Sequence, residues 1–311
     1  MRILPNRSSI SFATDSEKDI RKVGWVRPLE KGNHLPARSA ITALRMIVTD
    51  RDWPIHLSRI AIGIPLTIRN WPHFLAISLD VSHDDNFYCR LRNGLRFKMR
   101  PHTTDSSAFM EVWIMKHYSP PGFEIRDTDT VIDIGAHIGF FSVMAASQAR
   151  KGAVYSFEPD GRNFGMLQEN IEINEIKNVV PINSAVAESN GERELFTSPD
   201  NLGAHSFYIT SYEGTHYEGK ELVKTTSLES VFKQYDIHQV DYLKLDCEGA
   251  EYEILCSSPP SLLHKISKMG IEYHFGGEKL DHFRQLLRDN GLIVKTVPVY
   301  PDFGMIYAIR A

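Results

Sequence analysis

The sequence predicts an α/β fold: a seven-stranded, mostly parallel sheet whose last strand runs antiparallel, preceded by a helical N-terminal region and a β-hairpin. Three observations carry this. After Asp127, short apolar runs rich in β-branched residues alternate with stretches of helical spacing. The first run, TVIDI, ends in a glycine turn, and the second, AVYSF, ends in Glu158, 25 residues after Asp133. Composition agrees: of 311 residues, 42% are apolar and 24% charged, which excludes disordered and collagen-like classes. Three cysteines, Cys89, Cys247 and Cys256, are too few for a disulfide framework and suit free thiols in a cytoplasmic protein.

The elements follow in order. The N-terminus, MRILPNRSSISFATDSEKDIRK, lacks an apolar core segment and carries Asp15, Glu17 and Asp19, so neither a secretory signal nor a transit peptide is expected. Ile41, Leu44 and Ile47 predict a helix over 38–50. The most apolar stretch, Leu57 to Val81, is interrupted by Arg59, Pro65, Arg69 and Pro72. Its longest charge-free part, Ile60 to Ile68, is nine residues, well short of the ~20 a membrane-spanning helix needs. An accessory helix pair is expected there, with docking at a membrane surface as the alternative. FYCRL and LRFKM around Asn93-Gly94 predict a hairpin. Residues 105–117 read as a helix capped by Asp105 or Ser106 and ended by Ser119-Pro-Pro-Gly.

Then come TVIDI, a helix to Arg150, AVYSFE, a helix over Asn163–Ile173, and VVPIN. The irregular segment 187–226 suggests added strands or a substrate loop. Alternation resumes with a helix at 227–235, VDYLKLD, a helix at 250–263, KMGIEYH, a helix at 278–289, and the antiparallel pair LIVKTV and GMIYAIR. The expected division is an accessory region 1–85 and a main unit 86–311, itself a preface 86–127 and a core 128–311. Residues 1–100 carry 17 Lys and Arg against 9 Asp and Glu, and the remainder 18 against 30, so the parts bear +8 and −12. The total of −4 gives no footprint for nucleic acid.

Gly135 and Gly139 let the chain turn sharply after Asp133 and approach a ligand closely. A dinucleotide loop requires G-x-G-x-x-G, and His137 occupies the middle position, which argues against a nicotinamide oxidoreductase; the Walker pattern is also absent. Glu158 at the end of the second strand can accept hydrogen bonds from both hydroxyls of an adenosine ribose. Its bland alternative is an acid that caps the next helix.

These residues, in the order DIGAHIGFFS, YSFEPD with Asn163, Phe164, Leu167, Asn170, Ile171 and Asn174, then DYLKLDCEGAEYEIL and IEYH, resemble the S-adenosylmethionine-dependent methyltransferases, and within them the FkbM type. NGLRFKMR and the helix containing Glu111 resemble the family's lead-in, whereas residues 1–85 fall outside. The resemblance implies a Rossmann-like fold and S-adenosylmethionine held by Asp133, Gly135, Ala136, His137, Gly139, Glu158, Pro159, Asp160, Ser184, Ala185, Asp246 and Glu248. It also implies methylation of a hydroxyl on a sugar, a glycolipid or a natural product. The family usually has Asn where this chain has His137, a change that could alter pH dependence. Cys247 stands where an aliphatic residue is usual and reads as a packing substitution.

Alternation places Lys244 and Asp246 on one side of the fourth core strand, with Glu248 beyond its end, and Glu272 and His274 lie two apart on the fifth. Both pairs point to the crevice at the carboxyl edge of the sheet, where open α/β sheets bind ligands. Methyl transfer to oxygen needs an aligned nucleophile and a proton acceptor. His274 is the first candidate base and Asp246 the second, while Lys244 could hold an acidic substrate or neutralise Asp246. Glu251 reads as a first-turn helix residue. Asp246, Glu272 and His274 also form a donor set that could take a divalent ion. The remaining alternative is a cofactor-binding scaffold in a glycan-assembly complex, without catalysis. The basic hairpin Arg90, Arg92, Arg96, Lys98 and Arg100 could meet an anionic acceptor or a membrane; a solvated charged face is the plainer reading.

Overall fold

A computed structural model describes residues 53–82, 84, 87–198, 202–203, 205–208, 217–300 and 302–310. The helix expected over 38–50 and the polar N-terminus lie outside them. Helices α1 (Trp53–Thr67) and α2 (Trp71–Ser78) form the expected pair, and β1 (Tyr88–Arg90) and β2 (Arg96–Lys98) the hairpin, with Gly94 at φ +98° in its turn. Next come α3 (Asp105–Phe109), β3 (Thr130–Ile134), α4 (Phe140–Gln148), β4 (Ala153–Phe157), α5 (Gly161–Glu172) and β5 (Val179–Ile182). β6 (Ala185–Ala187) leads into the irregular segment, which contributes β7 (Gly191–Thr197) and β8 (Gly219–Ser227). After it follow α6 (Leu228–Gln234), β9 (Val240–Leu245), α7 (Glu251–Cys256), α8 (Pro260–Leu263), β10 (Ile266–Tyr273), α9 (Gly277–Asp289), β11 (Leu292–Tyr300) and β12 (Phe303–Arg310).

The main sheet has seven strands in the order β11-β12-β10-β9-β3-β4-β5. β12 pairs antiparallel with β10 and β11, and the pairs from β10 through β5 are parallel. Strand order reverses beside β3, so the crevice beyond the carboxyl ends of β3 and β9 is the topological switch point. β6, β7 and β8 make a separate three-stranded sheet, in which β7 and β8 are the added strands expected of the irregular segment.

Alternation along each buried strand divides the core between the two faces of the sheet. Val131 and Tyr242 pack with α4, α5, the hairpin and the buried side of α1 and α2, whereas Ile132 and Leu243 pack with α6, α7, α8 and α9. The first cluster holds an aromatic knot, with Phe97, Phe109, Trp113 and Phe140 in edge-to-face or stacked contact.

Two helices depart from expectation. The helix expected over 105–117 is α-helical only to Phe109 and continues as a π-helical turn, Met110–Ile114. Its N-cap is Thr104, which makes no side-chain cap bond, and neither Asp105 nor Ser106 plays that part. Asp105 is fully buried and takes the Arg100 guanidinium at 2.7 and 3.0 Å, a charge pair that outweighs a cap. The helix expected over 250–263 breaks into α7 and α8 at Ser257-Ser-Pro-Pro. Pro259 is extended at ψ 146°, and the residue before a proline is steered out of helix.

Candidate functional site at the carboxyl edge of the sheet

The glycine turn after β3 is fixed by the strands beside it. Gly135 N and Ala136 N donate to Phe157 O, and Asp246 N donates to Ile134 O. Gly135 has φ +77°, and a Cβ there would stand 1.7 Å from Asp246 O. No other residue fits where the two strand ends close on each other. Gly139, at φ +93°, opens α4.

Lys244 locks this edge from beneath. Its Nζ donates to Gly135 O at 2.8 Å and lies 3.1 Å from Asp133 Oδ1 and 3.5 Å from Asp246 Oδ2. The side chain is 4% exposed. Burial works against its charge, but Asp133 and Asp246 together hold the ammonium well above its ordinary pKa. With those partners, Lys244 neutralises Asp246 and has no donor left for a substrate. Asp133 is equally enclosed: Oδ2 accepts from Ser142 Oγ at 2.6 Å, so it supports the turn from behind.

Glu158 accepts from His137 N at 2.8 Å and from Asp160 N at 3.0 Å, and burial pushes its carboxyl up to about 7. Asp160 is the N-cap of α5, accepting from Arg162 N and Asn163 N. The capping role thus falls to Asp160, and Glu158 stays at the turn. Asn183 Nδ2 donates to Glu158 O and Pro159 O. Ser184 Oγ is engaged with Ala185 O and Lys224 O. His137 adopts φ +51°, and its Nε2 accepts from Arg100 at 3.0 Å. Burial lowers its pKa to about 4, so the ring is neutral, with Nδ1 buried and without a hydrogen-bond partner among the described residues.

At the ends of β9 and β10 the acids converge. The Tyr118 hydroxyl lies 2.8 Å from Asp246 Oδ2 and 2.8 Å from Glu272 Oε2. One hydroxyl brings one proton, so one of the two carboxyls supplies the second. Burial, with Asp246 and Glu111 nearby, raises Glu272 well above its ordinary pKa. Burial also works upward on Asp246, but Lys244, His274 and the Tyr118 hydroxyl hold it below the usual value. Glu272 is therefore the neutral acid donating to Tyr118, and Tyr118 donates to the Asp246 carboxylate. Glu111 and Glu248 are pushed up to about 8 and about 7 by burial and by neighbouring acids.

His274 Nδ1 meets Glu251 Oε1 at 3.1 Å, while Nε2 lies 3.4 Å from Glu248 and 3.8 Å from Glu272. Burial opposes its charge, yet Glu248 and Glu251 raise it well above the ordinary pKa. As an imidazolium it has no lone pair to accept a proton. It is 6% exposed, against 29% for Asp246 and 26% for Glu248, so Asp246 and Glu248 form the open rim and His274 lies behind. Glu251 also accepts from Cys247 N and Gly249 N, folding the loop after β9. Cys247 is pushed well above the ordinary thiol pKa by burial and is no thiolate nucleophile.

The structure thus joins Lys244, Asp246, Glu248, Glu272 and His274 at one edge, beside Asp133, Gly135 and Ala136, with Glu158 across the turn. Sequence reasoning missed Tyr118, which lies 128 and 154 residues from its partners. Tyr242 Oη donates to Tyr118 O and Tyr307 Oη to His117 O, pinning that segment to the sheet. Asp246, Glu272 and His274 offer one donor atom each, all within 4.8 Å of one another. A cleft of about 550 Å³ beside the hairpin contains none of these groups, so the site is located by its converging chemistry.

A switch-point crevice with a glycine turn, an acid at the next strand end and a cluster of carboxyl groups is the place where open α/β sheets bind their ligands. Residues 133–294, just over half of the chain, match the family model described as the methyltransferase FkbM domain, and the chain belongs to that family. Its cofactor is S-adenosylmethionine, and the residues present fit it: Asp246 and Glu248 on the open rim offer carboxyl oxygens toward a cationic sulfonium, and Glu158 is an acceptor at the turn. The chain is 26% identical over 158 residues to a hexuronic acid methyltransferase, AglP, of Haloferax volcanii, spanning 51% of this chain and 61% of that one. It is 24% identical over 219 residues to the 31-O-demethyl-FK506 methyltransferase FkbM of Streptomyces tacrolimicus, spanning 60% of this chain and 81% of that one. A solved structure of methyltransferase FkbM from Methylobacillus flagellatus is similar at a TM-score of 0.43 and 14% identity, over 77% of this chain and 59% of that one. Among the described residues no helix is long and apolar enough to cross a membrane.

Proposed function

We propose that this chain transfers a methyl group from S-adenosylmethionine to a hydroxyl oxygen of a sugar unit or of a hydroxylated natural product. The observation that carries the reading is the half-open Asp246 carboxylate, held ionised above Lys244 and hydrogen-bonded to Tyr118. The substrate class draws on the relatives, one named for a hexuronic acid and one for an oxygen of FK506.

When bound, S-adenosylmethionine supplies an electrophilic methyl group. Glu158 would accept from the ribose hydroxyls, the turn from Gly135 to Gly139 would admit the cofactor's close approach, and Asp246 with Glu248 would offset the charge of the sulfonium. Asp133 and Lys244 support the turn without touching the ligand. Asp246 takes the proton of the acceptor hydroxyl as that oxygen attacks, and Tyr118 and Glu272 orient the carboxylate through their shared hydrogen bonds. The His274 imidazolium, fixed by Glu251, offsets the charge of the surrounding acids. Asp246 therefore replaces His274 as the base proposed for this site.

The test is S-adenosylhomocysteine formation with a panel of hexuronic acid glycosides and hydroxylated macrolides. Turnover that collapses in Asp246→Asn while S-adenosylmethionine still binds supports the reading. Wild-type turnover in that variant, or no cofactor binding by the purified protein, overturns it. The 4.8 Å convergence of Asp246, Glu272 and His274 favours a second reading, in which a divalent ion orients the acceptor. Loss of activity in EDTA, restored by Mg²⁺, Mn²⁺ or Zn²⁺, would select it.

A further inference from the structure

Helix α1 is apolar on both sides. Ile60, Ile64 and Ile68 are buried in the core, which accounts for one side. On the other, Arg59, Ile62, Leu66 and Arg69 form an exposed stripe, with Ile62 58% and Leu66 69% exposed. Trp71, 38% exposed, follows at the start of α2. The hairpin adjoins this stripe: Ile68 bridges Leu91, Arg69 N donates to Arg90 O at 2.7 Å, and Arg92 Nε donates to Pro65 O at 2.7 Å. Between hairpin and α5 opens the cleft of about 550 Å³, with Arg69, Arg90 and Arg96 among its lining and Glu175 its one acid. Arg96 Nε is engaged with Ile173 O. The guanidinium groups of Arg69 and Arg90 have neither ion pair nor hydrogen bond among the described residues.

We propose that the outer face of α1, Trp71 and the arginine cleft form a docking surface for an anionic lipid bilayer. Charge complementarity selects the occupant. Unpartnered guanidinium forks match phosphate and carboxylate headgroups, and the adjoining isoleucine, leucine and tryptophan match the boundary between headgroups and acyl chains. A second copy seated on the same face would set arginine against arginine about a two-fold axis, and a small soluble anion would leave the apolar stripe in water. The docked face lies at the far end of α5 from Glu158, about 18 Å along twelve helical residues. The crevice therefore stays open, and turnover on a soluble acceptor is independent of docking.

Cosedimentation of the full chain with sucrose-loaded vesicles tests this, using phosphatidylcholine alone or mixed with phosphatidylserine. Binding to the mixed vesicles alone, weakened by salt, is the expected result. Neutralising Arg69→Gln and Arg90→Gln lowers the partition coefficient about fivefold each and about 25-fold together, with circular dichroism and turnover on a soluble acceptor unchanged. Leu66→Ser lowers it as well; because the two arginines are exposed, their variant carries the test even if Leu66→Ser misfolds. Absent binding, or equal binding to neutral vesicles, overturns the proposal. Undiminished binding by the arginine pair does so too, seating the lipid elsewhere on the chain, residues 1–52 included. A dimer in light scattering that Leu66→Asp dissociates would give the face to a second copy and overturn it equally.

Discussion

Cations at the carboxyl edge of the sheet and on the hairpin side are used in opposite ways. At the carboxyl edge Lys244 is enclosed, with Gly135 O, Asp133 and Asp246 as partners. At the hairpin end Arg69 and Arg90 stand exposed, beside a cleft with a single acid. A buried charge must be matched by partners, so its surroundings dictate the ionisation of every neighbour. An exposed charge needs no partner and contributes a field. The inner cations therefore build a site whose proton inventory is set by geometry, and the outer ones make a surface.

The sharpest way to break that contrast is at the rim of the inner site. Asp246→Asn keeps the shape and removes the charge, and kcat is expected to fall about 10²- to 10⁴-fold, with cofactor affinity changed much less. Isothermal titration beside a turnover assay separates the two quantities. Next in size is Lys244→Met, which strands the buried Asp133 carboxylate and removes the cation beside Asp246, and is expected to cost about 3–5 kcal/mol of stability in urea unfolding. A loss under 1 kcal/mol would mean the inner cation is as dispensable as a surface one.

pH dependence sharpens the comparison further. Burial raises Glu158 to about 7 from 4.5, so the folded chain holds a proton there that the unfolded chain has released. That contribution to the stability of the apoprotein is fully present below 4.5 and is lost as pH rises through 7. Cofactor affinity carries the opposite sign, because ribose hydroxyls donate to the ionised carboxylate. Between pH 6 and pH 8 the affinity is expected to rise about tenfold, an increase that Glu158→Gln abolishes. A flat profile would place Glu158 outside the ribose site.

How far the sequence discloses these two regions depends on the range of each interaction. The seven core strands are legible because a strand buried on both faces is a local apolar run, and the hairpin because Asn93-Gly94 is a local turn. Gly135, Glu158, Asp246 and Glu272 are legible as strand ends. Tyr118 is not, since nothing near it in the chain marks a hydroxyl that will settle between two acids on distant strands. The ionisation of His274 is hidden for the same reason: Glu248 and Glu251 approach it only when the loop after β9 folds back. Asp105 looks like a cap because capping is local, whereas its burial makes the charge pair with Arg100 win.

The smallest expected effect lies on the hairpin, where Lys98 pairs with Glu169 at 2.8 Å. The pair is closer than either carboxylate contact of Lys244, but the two side chains are 28% and 37% exposed, and water screens them. Lys98 N donates to Asn170 Oδ1 and Lys98 O accepts from Asn170 Nδ2, so the strand stays tied to α5 without the ammonium. Lys98→Met is therefore expected to shift stability by no more than about 1 kcal/mol, read in the same urea titration as Lys244→Met. A loss as large as that of Lys244 would show that the hairpin charges are structural, and the contrast between the carboxyl edge and the hairpin side would then rest on Arg69 and Arg90 alone.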